Sequence, residues 1–332
     1  MKEIFERVES IISPVYLVGG SVRDALMGCL PKDYDFITPH SPDVIEQKIR
    51  QANRKPFLTG KRFGTIGVRI DGRLVEITTF RTERYQRGTR KPQVEFVADI
   101  MEDLGRRDFT INAIAKRGES LIDPYGGRVD IADKIIRCVG QAPVRFKEDP
   151  LRMLRAGRFV AQLGFVIENT TFLAARQMSE KILEVSKERW VAELDHLLVS
   201  THVATGLQSL MDMGLFHYMV PELTVQTYTG HPGSLAQINL WMHTLEVTAS
   251  IPAERDLRWA ALLHGVSRPF TRIDPRDHDT LAKPDILGYE MVIRLGKYLR
   301  WSNKRIETVS NLVRNHLCET GGPNDMIDGL KK

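Results

Sequence analysis

Apolar and polar positions alternate along the chain with two rhythms. Over the first 140 residues strand and helix signals take turns. Lys2 to Ile12 is amphipathic at helical spacing and stops at Ser13-Pro14. Val15 to Val18 is a short apolar strand broken by Gly19-Gly20. Ser21 to Met27 reads as a helix, with Ser21 as N-cap and Gly28 as its stop. Tyr34 to Ile37 is another strand, and Ser41 to Ala52 a helix capped by Ser41 and opened by Pro42. Thr65–Ile70 and Leu74–Thr79 flank Asp71-Gly72, a strong short-hairpin signal. From about Asp149 the strand signals vanish, and apolar residues recur at helical spacing. Leu151, Leu154, Phe159 and Leu163 make one helix that stops at Gly164. Others are expected near 187–199, 202–213, 236–250, 256–264, 286–299 and 303–317, with loops at 266–285 and 319–332. The pattern predicts a mixed α/β head followed by an all-helical remainder.

Composition narrows this picture. At 332 residues the chain suits about two domains, and 42% hydrophobic with 27% charged residues fits a folded globular protein. No apolar run reaches the length of a spanning helix, and MKEIFERVESII lacks the pattern of a secretion signal. Lys and Arg exceed Asp and Glu by 47 to 42, which permits a polyanionic partner. The three cysteines, Cys29, Cys138 and Cys318, are too scattered for a disulfide framework or a CxxC metal site. They are expected to be ordinary buried or half-buried thiols in a reducing, cytoplasmic setting.

The candidate chemistry lies in the head. LVGGSVRDALMG carries the chain from a strand into a helix. Gly19 and Gly20 let backbone N–H groups approach a ligand, the helix start at Ser21 adds partial positive charge, and Arg23 could clamp a phosphate. Alone, this reads more readily as a tight strand-to-helix connection. In Asp33-Tyr34-Asp35 the two acids are two residues apart on a strand, so both carboxylates share a face. Like charges held together call for a cation, here Mg²⁺ completed by substrate phosphates; otherwise they are exposed acids at a strand edge. Glu76, with Val75 and Ile77 facing the other way, is the third member of an expected acidic triad for two metals. In RRDFTINAIA, Asp108 is expected to cap a helix Phe109–Ala115, with Phe109, Ile111 and Ile114 buried. Asn112, one turn on, could join Asp108 on a ribose, with Arg107 near phosphate. LIDPYGG reads as a structural turn.

Seven segments in order, GGSVRD, DYDF, FGTIGV, VEITTFR, RRDFTINAIA, DPYGG and EDPLRMLRAGRFVAQLGF, resemble the class II tRNA nucleotidyltransferase and bacterial poly(A) polymerase family, within the DNA polymerase β superfamily. The match is close over residues 1–200 and loose beyond. It implies a nucleotidyltransferase head at 1–140, a helical neck at 141–200, and a helical body and tail at 201–332. It also implies Mg²⁺-dependent transfer of nucleotides from CTP and ATP to a tRNA 3′ end, with no membrane involved. Asp33 and Asp35 match the metal-binding aspartates, and Glu76 the acid of the following strand. Gly19, Gly20 and Arg23 match the triphosphate-binding turn, and Arg107, Asp108 and Asn112 the ribose and phosphate contacts. Against the family the chain reads as short at its C-terminal end.

Asp149 and Arg152 match the family's base-reading element. Three residues apart at a helix start, they share a face. A carboxylate accepts and a guanidinium donates, which suits the amino group and ring nitrogen of cytosine and of adenine. Uracil and guanine present the reverse order. Asp149 before Pro150 is also an ordinary N-cap. Arg155 and Arg158 either touch phosphate or stabilise the neck, and SKERWVAEL is taken as structural.

Two departures stand out. The loop YQRGTRKP, residues 85–92, lacks the family's Asp, which leaves CC-only or A-only addition and poly(A) synthesis open. The helical half resembles an HD-type domain, yet Gly265 stands where a metal-binding Asp belongs. This disfavours an HD phosphohydrolase and makes His243 and His264 packed core histidines. Arg300, Lys304 and Arg305 around Trp301 offer a basic, aromatic face for RNA, the alternative being a solvated helix with Trp301 in the core.

Overall fold

The computed structural model describes residues 2–31, 33–84, 93–229, 239–271 and 284–316. It divides into two compact units, Met1–Glu148 and Asp149–Lys332.

The first unit starts with α1 (Lys2–Ile11), β1 (Tyr16–Val18), α2 (Gly20–Leu26), β2 (Tyr34–Thr38) and α3 (Pro42–Gln51). Next come β3 (Pro56–Phe57), β4 (Thr65–Ile70), β5 (Arg73–Thr79), β6 (Arg81–Arg84), β7 (Gln93–Phe96) and α4 (Ile100–Gly105). It closes with β8 (Ala115–Arg117), β9 (Ser120–Ile122), α5 (Gly127–Ala132), β10 (Ile135–Ile136) and α6 (Ala142–Glu148). Seven strands form one sheet in the order β3-β4-β5-β2-β1-β8-β9. Only β2 and β5 run parallel in it. The hairpin signal is realised, because Asp71 and Gly72 both adopt positive φ, at 52° and 78°. Ser41 caps α3 through its side chain, with Pro42 in the first turn. One sheet face, lined by Ile66, Val68, Ile70, Val75 and Ile77, packs on Val8, Ile12, Ile45 and Ile49. On the other face Val18, Ile37, Phe80, Leu104 and Ala115 form a smaller core.

Two expectations about local elements fail in this unit. Ser21 is not the N-cap of α2; Gly19 is, at φ 67°, with no side-chain cap. The Ser21 hydroxyl instead donates to Asp33 O at 2.9 Å and accepts from Asp35 N at 3.2 Å. Residues 109–115 are not one helix either. Only Thr110–Asn112 makes a 3-10 turn, after which the chain enters β8. The apolar residues that suggested helical periodicity, Phe109, Ile111 and Ile114, are all fully buried, so burial on several sides imitated a stripe. LIDPYGG is structural as read: Asp123 accepts from Gly127 N and Arg128 N at 2.7 and 2.9 Å and anchors the start of α5.

Among its described residues, the second unit has helices and one short strand, β11 (Val166–Ile167). Its helices are α7 (Leu151–Leu163), α8 (Asn169–Gln177), α9 (Lys187–Leu198), α10 (Val203–Asp212), α11 (Leu215–Met219), α12 (Pro221–Val225), α13 (Leu240–Ser250), α14 (Arg255–Leu263), α15 (Pro284–Tyr298) and α16 (Asn303–Asn315). α7 ends at Gly164 in the left-handed conformation, as expected. No helix of the described residues is long and apolar enough to cross a membrane. Cys138 is buried, Cys29 is exposed rather than buried, and Cys318 lies outside the described residues.

α7 and α10 cross through glycines. A Cβ at Gly206 would lie 2.5 Å from Ala161 Cβ and 2.9 Å from Gly157 O, and one at Gly157 would strike Leu210. Overfilling such a crossing costs about 1–3 kcal/mol. Gly206→Val should therefore lower the melting temperature of the second unit by several degrees. An unchanged melting curve would mean the crossing tolerates added volume.

Candidate active site and its flanking clusters

Parallel pairing of β2 with β5 sets Asp35 directly opposite Glu76, and the β4 partner of Glu76 is Gly67. Both acids are exposed, while Val75 and Ile77 are buried beneath, as the alternation of the strand requires. Asp33 stands one residue before β2 and is also exposed. Burial, first, together with the negative charges of Glu76 and Asp33, holds the Asp35 pKa above its ordinary 3.8, while Arg107 pulls it back. The carboxyl keeps solvent contact, yet enough protein surrounds it to weaken its hydration.

Among the described residues, no three His, Cys, Asp or Glu side chains close around a metal ion by themselves. The expected triad is therefore an open arrangement: an Asp35–Glu76 pair in register, with Asp33 beside it. The donor set still fits a hard divalent cation. Two unneutralised carboxylates repel, a cation relieves that repulsion, and Mg²⁺ is commonly held by one or two carboxylates with water and substrate phosphates.

Beside these acids, the turn after β1 and the 110–112 turn lock together. Gly19 requires its positive φ, and a Cβ there would lie 3.2 Å from Arg107 Nη1. Arg23 is buried and donates Nη1 to Asn112 Oδ1 at 2.8 Å and Nη2 to Asp24 at 2.7 Å. Asn112 in turn donates to Asp108 Oδ1 at 3.2 Å, and both are buried. The expected phosphate and ribose residues are thus brought together, although Arg23 is held by protein partners in this state. The sequence reading missed Asp103, which is fully buried. It accepts from Arg106 at 2.7 Å and from Arg107 at 3.0 Å. Burial works to raise its pKa, but the two guanidiniums outweigh that and hold it low. Spacings of three and four residues within EDLGRR were the available signal.

In the second unit, Pro150 and not Asp149 occupies the N-cap of α7. Asp149 Oδ1 accepts from Leu151 N at 3.1 Å from one residue further out, while Oδ2 accepts from Arg189 Nη2 at 2.8 Å. Arg189, taken from sequence as structural, therefore stands at this carboxylate. Arg152 is buried on the first turn of α7. Arg158 Nε pairs with Glu193 at 2.5 Å and Arg155 with the same carboxylate at 3.6 Å, both leaning on the Phe159 ring. That geometry favours the neck-stabilising reading of these two arginines.

Residues 15–137 match the model of the poly A polymerase head domain. Residues 164–227 match a region described as a probable RNA and SrmB-binding site of polymerase A. A CCA-adding enzyme of Geobacillus kaustophilus is 37% identical over 286 residues, which cover 82% of this chain and 67% of that protein. The chain belongs to the CCA-adding enzyme family. This makes it a tRNA nucleotidyltransferase with a polymerase β-like head. A Staphylococcus haemolyticus member is 42% identical over 220 residues, covering 66% of this chain and 54% of that one. Among solved structures, the Bacillus stearothermophilus CCA-adding enzyme in complex with CTP matches with TM-score 0.66 and 30% identity, over all of this chain and 82% of that one. The Thermotoga maritima enzyme complexed with tRNA, at 23% identity and TM-score 0.62, shares the fold over 99% of this chain and 77% of that one.

The loop 85–92, where the sequence departs from the family, lies outside the described residues. The basic face expected around Trp301 needs correction. Trp301 is buried, with its ring 4.9 Å from that of Trp259. Arg305 is buried too, pairing with Asp195 at 2.5 Å and Asp256 at 3.1 Å. Arg300 precedes α16 in a left-handed turn, φ 60°, and pairs with Glu188 at 2.6 Å. It therefore shares no helical face with the exposed Lys304. The core alternative holds because indole burial outweighs stacking on a solvent-facing surface. His264 is buried as expected, 5.2 Å from the ring of the half-buried His243; the sequence reading missed His316, whose ring lies 5.5 Å from it.

Two pH effects follow. Asp35 already titrates above its usual range, and Arg107 is the counterweight. Arg107→Gln should move the acidic limb of the activity profile to higher pH; a limb that stays put would separate Arg107 from Asp35. Burial, first, then His316, keeps His264 well below its ordinary 6.5. Below that pH the unfolded chain binds the proton and the folded chain does not, so stability falls as pH falls, approaching about 1.4 kcal/mol per pH unit. The melting temperature should drop between pH 7.5 and pH 5.5, and by less in His264→Phe. Equal drops would exonerate this imidazole.

Proposed function

We propose that this chain adds C and A from CTP and ATP to the 3′ end of tRNA without a template, in a cytoplasmic setting and with Mg²⁺ as the metal. The single observation that carries the reading is Asp35 opposite Glu76 on an open sheet face, beside a glycine turn overlain by Arg107. Asp33, Asp35 and Glu76 would hold magnesium, which when bound offsets the negative charge that keeps an RNA 3′ oxygen away from a nucleotide α-phosphate. The Gly19-Gly20 turn gives the triphosphate backbone N–H donors at a helix start. Arg107, and Arg23 once it exchanges a protein partner, supply positive charge where it builds up on the phosphates. Asp108 and Asn112, already joined to each other, orient the ribose. The 3′ oxygen attacks in line and pyrophosphate leaves.

Asp149 chooses the base. Its oxygens accept from the amino groups of cytosine and adenine, and a neighbouring guanidinium donates to the ring nitrogen. Opposed donors or acceptors on uracil and guanine cost on the order of 1–3 kcal/mol per group. Arg189, bound to Asp149 at 2.8 Å, joins Arg152 as a candidate for that donor.

The test uses tRNAs ending at the discriminator, at C and at CC, each nucleotide supplied separately, with the product ends sequenced. Full CCA, CC-only, A-only and poly(A) products are distinguished directly. Asp35→Ala should reduce incorporation by several orders of magnitude, and retained incorporation would refute its role. Asp149→Ala should flatten the preference for C and A over U and G. Unchanged ratios would remove it from base selection.

A further inference from the structure

Across the sheet, one row of residues runs Asp35, Glu76, Gly67, Phe57, each directly paired with the next on β2, β5, β4 and β3. Paired residues point to the same face, so Phe57 stands on the face of the acids, two strands from Glu76. At the spacing of neighbouring strands this is about 10 Å, the span of one nucleoside. Leu74, two residues before Glu76, shares that face. A Cβ at Gly67 would lie 3.3 Å from Phe57 Cβ and 3.4 Å from Leu74 Cδ1, so these two side chains converge over bare backbone. Both are exposed, Phe57 by 40% and Leu74 by 50%, although each could have been polar at no cost to the core. Arg69, the β4 partner of Leu74, and Arg54, which donates to Arg69 O at 3.0 Å, add positive charge beside them.

The residues assigned to the triphosphate all lie toward β1 and β8, on one side of the acids. In-line transfer places the entering and leaving oxygens on opposite sides of the phosphorus. The attacking RNA therefore approaches from the β5-β4-β3 side, where the apolar pair sits. We propose that Phe57 and Leu74, flanking Gly67, form a seat for the terminal nucleobase of the RNA being extended. The inference rests on the reaction proposed above. Phe57 and Leu74 are positioning residues: stacking the base there sets the 3′ oxygen beside Glu76, and any of the four bases offers the same flat face.

The full-length chain is assayed with two tRNAs lacking the 3′ end, one with its terminal nucleotide intact and one abasic at that nucleotide. With the intact RNA, Phe57→Ala should raise the KM for RNA about ten-fold and leave the KM for CTP unchanged. With the abasic RNA, the wild type should already show the raised KM, and Phe57→Ala should add less than two-fold. Phe57→Tyr, which keeps a ring, should restore wild-type behaviour. Equal losses on both RNAs, or a wild type indifferent to the missing base, would overturn the seat. Fluorescence anisotropy with the same RNAs needs no turnover. Base-dependent binding without extension would sink the proposed reaction and leave the seat standing. Extension with no dependence on the terminal base would do the reverse.

Discussion

Two carboxylates held side by side by a strand pairing impose the main constraint on the first unit. β2 and β5 are the parallel neighbours of the large sheet, and their register leaves Asp35 and Glu76 no choice but to face each other. The repulsion is a cost of folding that a packed core alone would remove by substitution. It persists because the hydrophobic face beneath, with Ile66, Val68, Val75 and Ile77 fully buried, over-determines the register. A one-residue slip would turn the acids inward and the aliphatics outward. The register fixes the backbone beneath the acids, while their exposed carboxylates stay open to solvent.

Around that pair the unit uses buried and half-buried arginines as props. Asp103, Arg106 and Arg107 form one cluster, and Asp24, Arg23, Asn112 and Asp108 form another. Buried ion pairs contribute little net stability, but removing one partner leaves an expensive charge behind. The clusters therefore act as geometry more than as glue. They hold the two guanidiniums near a backbone turn in which Gly19 takes a positive φ.

Much of this was readable beforehand, for identifiable reasons. The Asp71-Gly72 hairpin, the Ser41 cap and the Gly164 stop are local, so their signals survive in a short window. The shared face of Asp35 and Glu76 follows from strand alternation once the strands are placed, whereas Asp33 stands just before β2, outside the alternation. What escaped depended on tertiary context. Phe109, Ile111 and Ile114 are buried from several directions, which mimics a helical stripe. Ser21 sits where a cap would, but its hydroxyl finds β2 first. Trp301 and Arg305 look like an RNA-binding pair until Trp259, Asp195 and Asp256 appear around them. The Asp149–Arg189 contact spans forty residues of chain, and no local pattern announces it.

The Ser21 hydroxyl ties two segments of the first unit together. One oxygen bonds both Asp33 O and Asp35 N, so it rivets the first turn of α2 to the backbone that carries the two aspartates. Hydrogen bonds tolerate only a few tenths of an ångström of stretch before they weaken. Movement of the glycine turn is therefore coupled, through a single side-chain oxygen, to the backbone that carries the two aspartates.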